Sequence, residues 1–103
     1  MANGTLAQSN PAAATDTIVY TVPAGQTATA SVNILNGGSN VAAVRVAISA
    51  TGTPAASEYV ELDAPIDPTL SLERTGLVIS ENKNLVVRCS NADCVVNVYG
   101  FEA

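Results

Sequence analysis

Two stretches of this chain alternate apolar and polar side chains with a strict period of two, and that pattern constrains the fold more than anything else in the sequence. In Thr27–Leu35 the residues Ala28, Ala30, Val32 and Ile34 fall on one side, and Thr27, Thr29, Ser31 and Asn33 on the other. In Val41–Ala50 the inward set is Ala42, Val44, Val46 and Ile48, against Ala43, Arg45, Ala47 and Ser49. A period of two marks a half-buried strand, whereas a helix would need apolar residues three and four apart. Similar short runs occupy Asp16–Val22, Glu58–Asp63, Thr69–Arg74, Gly76–Ser80, Leu85–Cys89 and Cys94–Phe101. The two runs flanking Thr75 read as one bent strand or two short ones, with Gly76 at a kink or bulge. Turn residues separate the runs: Pro23-Ala24-Gly25-Gln26, Asn36-Gly37-Gly38-Ser39-Asn40 and the polar hairpin turn Glu81-Asn82-Lys83-Asn84. The Asn36–Asn40 group is rich in residues that tolerate positive φ. Pro65 and Pro68 cannot donate to a ladder, so they mark an edge or a crossover.

The result is about eight short strands at spacings of roughly 8–12 residues, the pattern of an all-β, antiparallel β-sandwich or jelly roll. Residues 16–103 are expected to form the sandwich domain. Residues 1–15 are polar and Ala-rich, with Asn10-Pro11, and read as an extended N-terminal arm.

The last two runs predict a hairpin closed by Ser90-Asn91-Ala92-Asp93. Its register sets Cys89 opposite Cys94, Val87 opposite Val96 and Leu85 opposite Val98, all facing inward. Two readings of the cysteines stand side by side. One is a cross-strand disulfide between Cys89 and Cys94, with little entropic benefit because the closed loop is short. The other is a pair of buried, reduced thiols that pack as small hydrophobes. Two thiolates without histidine cannot complete a tetrahedral metal set, so no metal or other cofactor is expected.

The chain is one domain long at 103 residues, and its apolar content is mostly Ala and Val, with four aromatic residues. A core this thin in a chain this short gains from packing between subunits. Four basic residues, scattered along the sequence, face nine acidic ones. That balance argues against nucleic acid, which needs a clustered positive patch, and against an anionic membrane surface. No apolar run approaches the ~20 residues of a membrane span. The start lacks the basic and apolar regions of a secretory leader, so synthesis in the cytoplasm is expected. There is no histidine, no Gly-x-Ser-x-Gly elbow and no phosphate-binding loop, and the expectation is that the protein is not an enzyme. The acidic group Glu58, Glu61, Asp63 and Asp67 could in principle converge on Ca²⁺ or serve a glycosidase, but it reads first as a solvated strand edge that resists edge-to-edge pairing. Val95, Asn97, Tyr99 and Phe101 share the outward side of the last strand, and two aromatics beside a valine mark a candidate interface.

Four segments carry a resemblance to a known class. Asp16–Ala28, with Tyr20-Thr21-Val22-Pro23-Ala24-Gly25, is similar to a recurring YTVPAG-type opening. Val32–Asn36, Val44–Ser49 and the ending Val96–Glu102 follow in the same order. Together they resemble small virion structural proteins of tailed bacteriophages. The resemblance implies a β-sandwich module built into the virion, with no catalytic signature. For a free-standing module it points to a capsid decoration (cement) subunit, a dimer or trimer that contacts the major capsid protein or other virion proteins and stabilises the head. The polar arm would then gain order on docking. The alternative it leaves open is a tail, baseplate, collar or fibre-associated structural protein. A carbohydrate-binding module is a second alternative, disfavoured by the absence of Trp.

Overall fold

The computed structural model describes residues 3–103. Eight strands form two four-stranded antiparallel sheets: β1 (Asn3–Ser9), β2 (Thr17–Thr21), β3 (Ala28–Asn36), β4 (Ala42–Ser49), β5 (Tyr59–Ile66), β6 (Ser71–Ile79), β7 (Asn84–Cys89) and β8 (Cys94–Glu102). One sheet, here the front, has the order β1-β8-β3-β6; the other, the back, has β2-β7-β4-β5. A 3₁₀ turn, Ala56–Glu58, precedes β5. The expectation of an antiparallel β-sandwich of about eight strands holds.

The core lies between the sheets and follows the alternation read from the sequence. Val32 and Ile34 of β3, Val44 and Val46 of β4, Leu85 and Val87 of β7, and Val96 and Val98 of β8 are almost completely buried. Each such aliphatic side chain contributes roughly 1.5–3 kcal/mol on burial, which lets short strands with small residues hold two layers together.

The expected hairpin between the last two runs does not form. β7 pairs with β2 and β4 in the back sheet, whereas β8 pairs with β1 and β3 in the front sheet. The inward residues Leu85, Val87 and Cys89 therefore face Val96, Val98 and Cys94 across the sandwich instead of along a ladder. Alternation decides which face a residue occupies but not which strand lies beside it, so the facing set is right and the pairing is not. The same correction applies to the Glu81–Asn84 turn, which joins β6 of the front sheet to β7 of the back. Among strands consecutive in sequence, only β4 and β5 are hydrogen-bonded neighbours.

The expected arm also takes a different form. Residues 3–9 are extended, but as edge strand β1, paired with β8 from Asn3↔Phe101 to Ser9↔Val96. Residues 1 and 2 lie outside the described residues. The chain then returns by Asn10, whose side-chain amide donates to the Cys94 carbonyl at 2.6 Å.

Two other expectations are met. β6 is one strand with a bulge at Gly76, at φ +69°, where the pairing with β3 shifts between Ala30 and Val32. Pro65 sits in β5 at the edge of the back sheet. In the Asn36–Asn40 turn, by contrast, Gly37 and Gly38 do not adopt positive φ. Gly38 is required for proximity, because a Cβ there would lie 2.4 Å from the Asp93 carboxylate.

Candidate functional site

The outward surface of the front sheet is the candidate site, because its register gathers side chains that are far apart in sequence. At one end Phe101 lies beside Thr29, which lies beside Val78. At the other end Val95 lies beside Leu35, which lies beside Ser71. Between them runs a polar row across all four strands: Gln8, Asn97, Asn33 and Glu73. The Gln8 amide donates to Asn97 Oδ1 at 2.8 Å. Tyr99, opposite the small Ser31, donates its hydroxyl across β3 to the Glu73 carboxylate. That hydrogen bond is the main reason the Tyr99 phenol is held above its ordinary pKa.

Val95, Tyr99 and Phe101 are exposed, while Cys94, Val96 and Val98 are buried, so β8 presents the outward side expected from its parity. Leu35 of β3 and Val78 of β6 extend the apolar surface, with Val78 66% exposed. The sequence does not connect these two to β8, because topology alone places β3 beside that strand and β6 beyond β3. Glu73 is the one charged side chain in the three rows.

The back sheet is finished differently. Val86 and Ala47 point outward yet are 2% and 1% exposed. Val86 lies between Ala47 and Ile18, and a Cβ at Gly52 would sit 3.3 Å from Ile18 Cδ1. The segment between β4 and β5 thus folds back over this stretch. Glu58 pins it: its carboxylate accepts from the Ser49 hydroxyl at 2.9 Å and from the Ala55 N–H at 2.8 Å. Those donors, the Ala55 N–H foremost, hold the Glu58 carboxyl below the usual carboxylate range.

The rest of the back face combines balanced ion pairs with Ile18 and Leu62, exposed on its edge strands. Arg45 and Arg88, distant in sequence, are direct cross-strand neighbours. Arg45 makes a two-point bridge to Asp63, at 2.7 and 3.1 Å, and Arg88 lies 3.9 Å from Asp16. They border a cavity of ≈ 220 Å³ whose other walls include Ala14, Ala43 and Ser90. The acidic group of the sequence does not converge. Glu58 holds its loop, Glu61 pairs with Arg74 at 3.0 Å and Asp63 pairs with Arg45. Among the described residues no group of three potential ligands could hold a metal ion.

Cys89 and Cys94 are free thiols, both fully buried at one end of the sandwich. Burial, and then the hydrogen bond with Cys94, push the Cys89 thiol up in pKa. At the opposite end of β8, the Tyr20 hydroxyl of the back sheet donates to Glu102 of the front sheet. Burial first, then that bond, raises the Tyr20 phenol far above its ordinary value. Because thiolate is the reactive form, the folded protein is expected to resist alkylation at neutral pH and to react on unfolding. Timed iodoacetamide labelling followed by mass measurement checks this. Labelling of the native protein at the rate of the denatured chain would contradict it.

Compared with protein-family models, curated proteins and solved structures, the chain has no match.

Proposed function

We propose that this protein is a structural subunit of a tailed-phage virion, a capsid decoration protein that bridges neighbouring subunits of the head lattice. The observation that carries the reading is the uneven finish of the two outer faces. The back face is partly covered by its own loop and carries matched ion pairs, with Ile18 and Leu62 exposed on its two edge strands, whereas the front face gathers Leu35, Val78, Val95, Tyr99 and Phe101, all exposed, on three neighbouring strands. A side chain such as Phe101 stabilises an assembly when a neighbour removes it from water, and contributes nothing while solvated. The order β1-β8-β3-β6 over β2-β7-β4-β5 supports a jelly-roll reading of the sandwich, an architecture used for capsid-type subunits. The sequence resemblance of Asp16–Ala28 and Val96–Glu102 to small virion proteins supplies the setting.

The mechanism is additive. Each copy covers a modest area on its neighbours, and many simultaneous contacts raise the resistance of the shell to internal pressure well beyond any one affinity. No step of covalent chemistry is required, and the partner is the major capsid protein or another copy of this chain.

Purified particles test the proposal. Quantitative mass spectrometry should find this protein in proportion to the major capsid protein, and particle imaging should place it on the head. A low copy number confined to the tail would favour the tail-associated reading instead. Absence from purified particles would overturn both.

A further inference from the structure

We infer that the outer face of the front sheet seats a second copy of this chain, packed sheet on sheet about a two-fold axis that runs parallel to the strands. This inference does not depend on the particle reading, since it concerns the protein in solution.

The first argument is charge. The molecule carries nine acidic and four basic residues, yet Glu73 is the one charged side chain in the three rows that cross this face. Two copies of an acidic protein that meet here bring only one carboxylate each to the contact. The second argument is relief. On the outside β8 presents Val95, Tyr99 and Phe101, and its neighbour β3 presents Leu35 and the smaller Ser31 and Thr29. A two-fold axis along the strands reverses the order of the facing sheet, so β8 of one copy lies over β3 of the other. Phe101 then meets Thr29, Tyr99 meets Ser31, and Val95 meets Leu35, each contact occurring twice. At the first two contacts a large side chain fills the space above a small one, and at the third two aliphatic side chains meet.

The third argument selects the axis. With it parallel to the strands, β6 faces β1, and Glu73 comes opposite the Gln8 amide, a hydrogen-bond donor. With it across the strands, β6 would face β6 and the two Glu73 carboxylates would be brought together at the polar row. Like charges opposite one another are unfavourable, so the first arrangement wins.

Area sets the strength. Nine-residue strands span ~30 Å and four strands about 15–20 Å, a flat footprint of roughly 500 Å² per copy. A stable complex buries about 800 Å² per partner, so this pair belongs to the weak class and forms at high protein concentration.

Sedimentation equilibrium over a wide concentration range, ending near saturation, tests the idea on the whole protein. The expected result is a rise from monomer toward twice the monomer mass. Phe101→Glu should weaken association by at least tenfold, and Val78→Glu should weaken it too, in case the first variant is misfolded by circular dichroism. Leu62→Glu, an exposed position on the edge strand of the back sheet, should leave association unchanged. For the axis, the double variant Gln8→Cys/Glu73→Cys should form a disulfide-linked dimer under mild oxidation, while Glu73→Cys alone should not. A wild-type chain that stays monomeric throughout, a trimer, or equal loss of association from Leu62→Glu would overturn the inference. Cross-linking through Glu73→Cys alone would overturn the proposed axis. The particle reading is judged separately, by copy number on the virion.

Discussion

Gly100→Ala is expected to destabilise the protein by about 3–5 kcal/mol, a large share of the ~5–15 kcal/mol that holds a domain of this size folded. Gly100 lies within β8, between Gly4 of β1 and Ala30 of β3, with φ at +150°. A Cβ there would lie 2.0 Å from the Thr29 carbonyl oxygen and 2.9 Å from Ala30 Cα. Those atoms are backbone of the neighbouring strand and cannot rotate away. The methyl group would therefore have to part β8 from β3, the two central strands of the front sheet. Gly25→Ala is the internal control. It also has a positive φ, +80°, but nothing lies within 4 Å of the added Cβ. It should cost only about 1 kcal/mol, the strain of the backbone conformation alone. Urea unfolding of both variants checks the difference. Equal losses would mean that the contact between β8 and β3 is not the governing term.

Asn36→Asp should be nearly as damaging, at about 3–4 kcal/mol near neutral pH. Asn36 ends β3 and is completely buried. Its amide nitrogen donates to the Asn40 carbonyl at 2.7 Å and to the Ile66 carbonyl at 2.9 Å, while its oxygen accepts from the Gly38 N–H at 3.0 Å. One side chain thus fixes the turn into β4 and ties the front sheet to the end of β5 in the back sheet. Aspartate has the same shape but replaces a double donor with an acceptor aimed at two carbonyls. Its buried carboxylate would be disfavoured, so its folded-state pKa would lie above the unfolded value. The protonated form can donate again, so the penalty should shrink as pH falls through the carboxylate range and be fully present once pH exceeds the folded pKa. Unfolding free energy measured against pH, variant minus wild type, reads this directly. A pH-independent difference would contradict the assigned hydrogen bonds.

Much of the architecture is legible in the sequence. The alternation in Thr27–Leu35 and Val41–Ala50, the bulge at Gly76 and the edge position of Pro65 all follow from side-chain period and backbone chemistry, which act over a few residues. The outward set Val95, Tyr99 and Phe101 was legible for the same reason. The arrangement of Leu35 and Val78 beside them was not, because sequence neighbours say nothing about which strands share a sheet. The paired Arg45 and Arg88, scattered in the sequence, show the same limit.

Local chemistry by itself therefore determined that this chain forms short strands, which side of each strand is apolar, and where they bend. Tertiary structure alone decided that β7 and β8 part into opposite sheets, that residues 3–9 complete the front sheet as an edge strand, and that Cys89 and Cys94 meet across the core. The reason is energetic: alternation assigns each residue a side at no cost in chain entropy, whereas the choice of neighbour rests on the sum of many weak long-range contacts that exist only once both layers close.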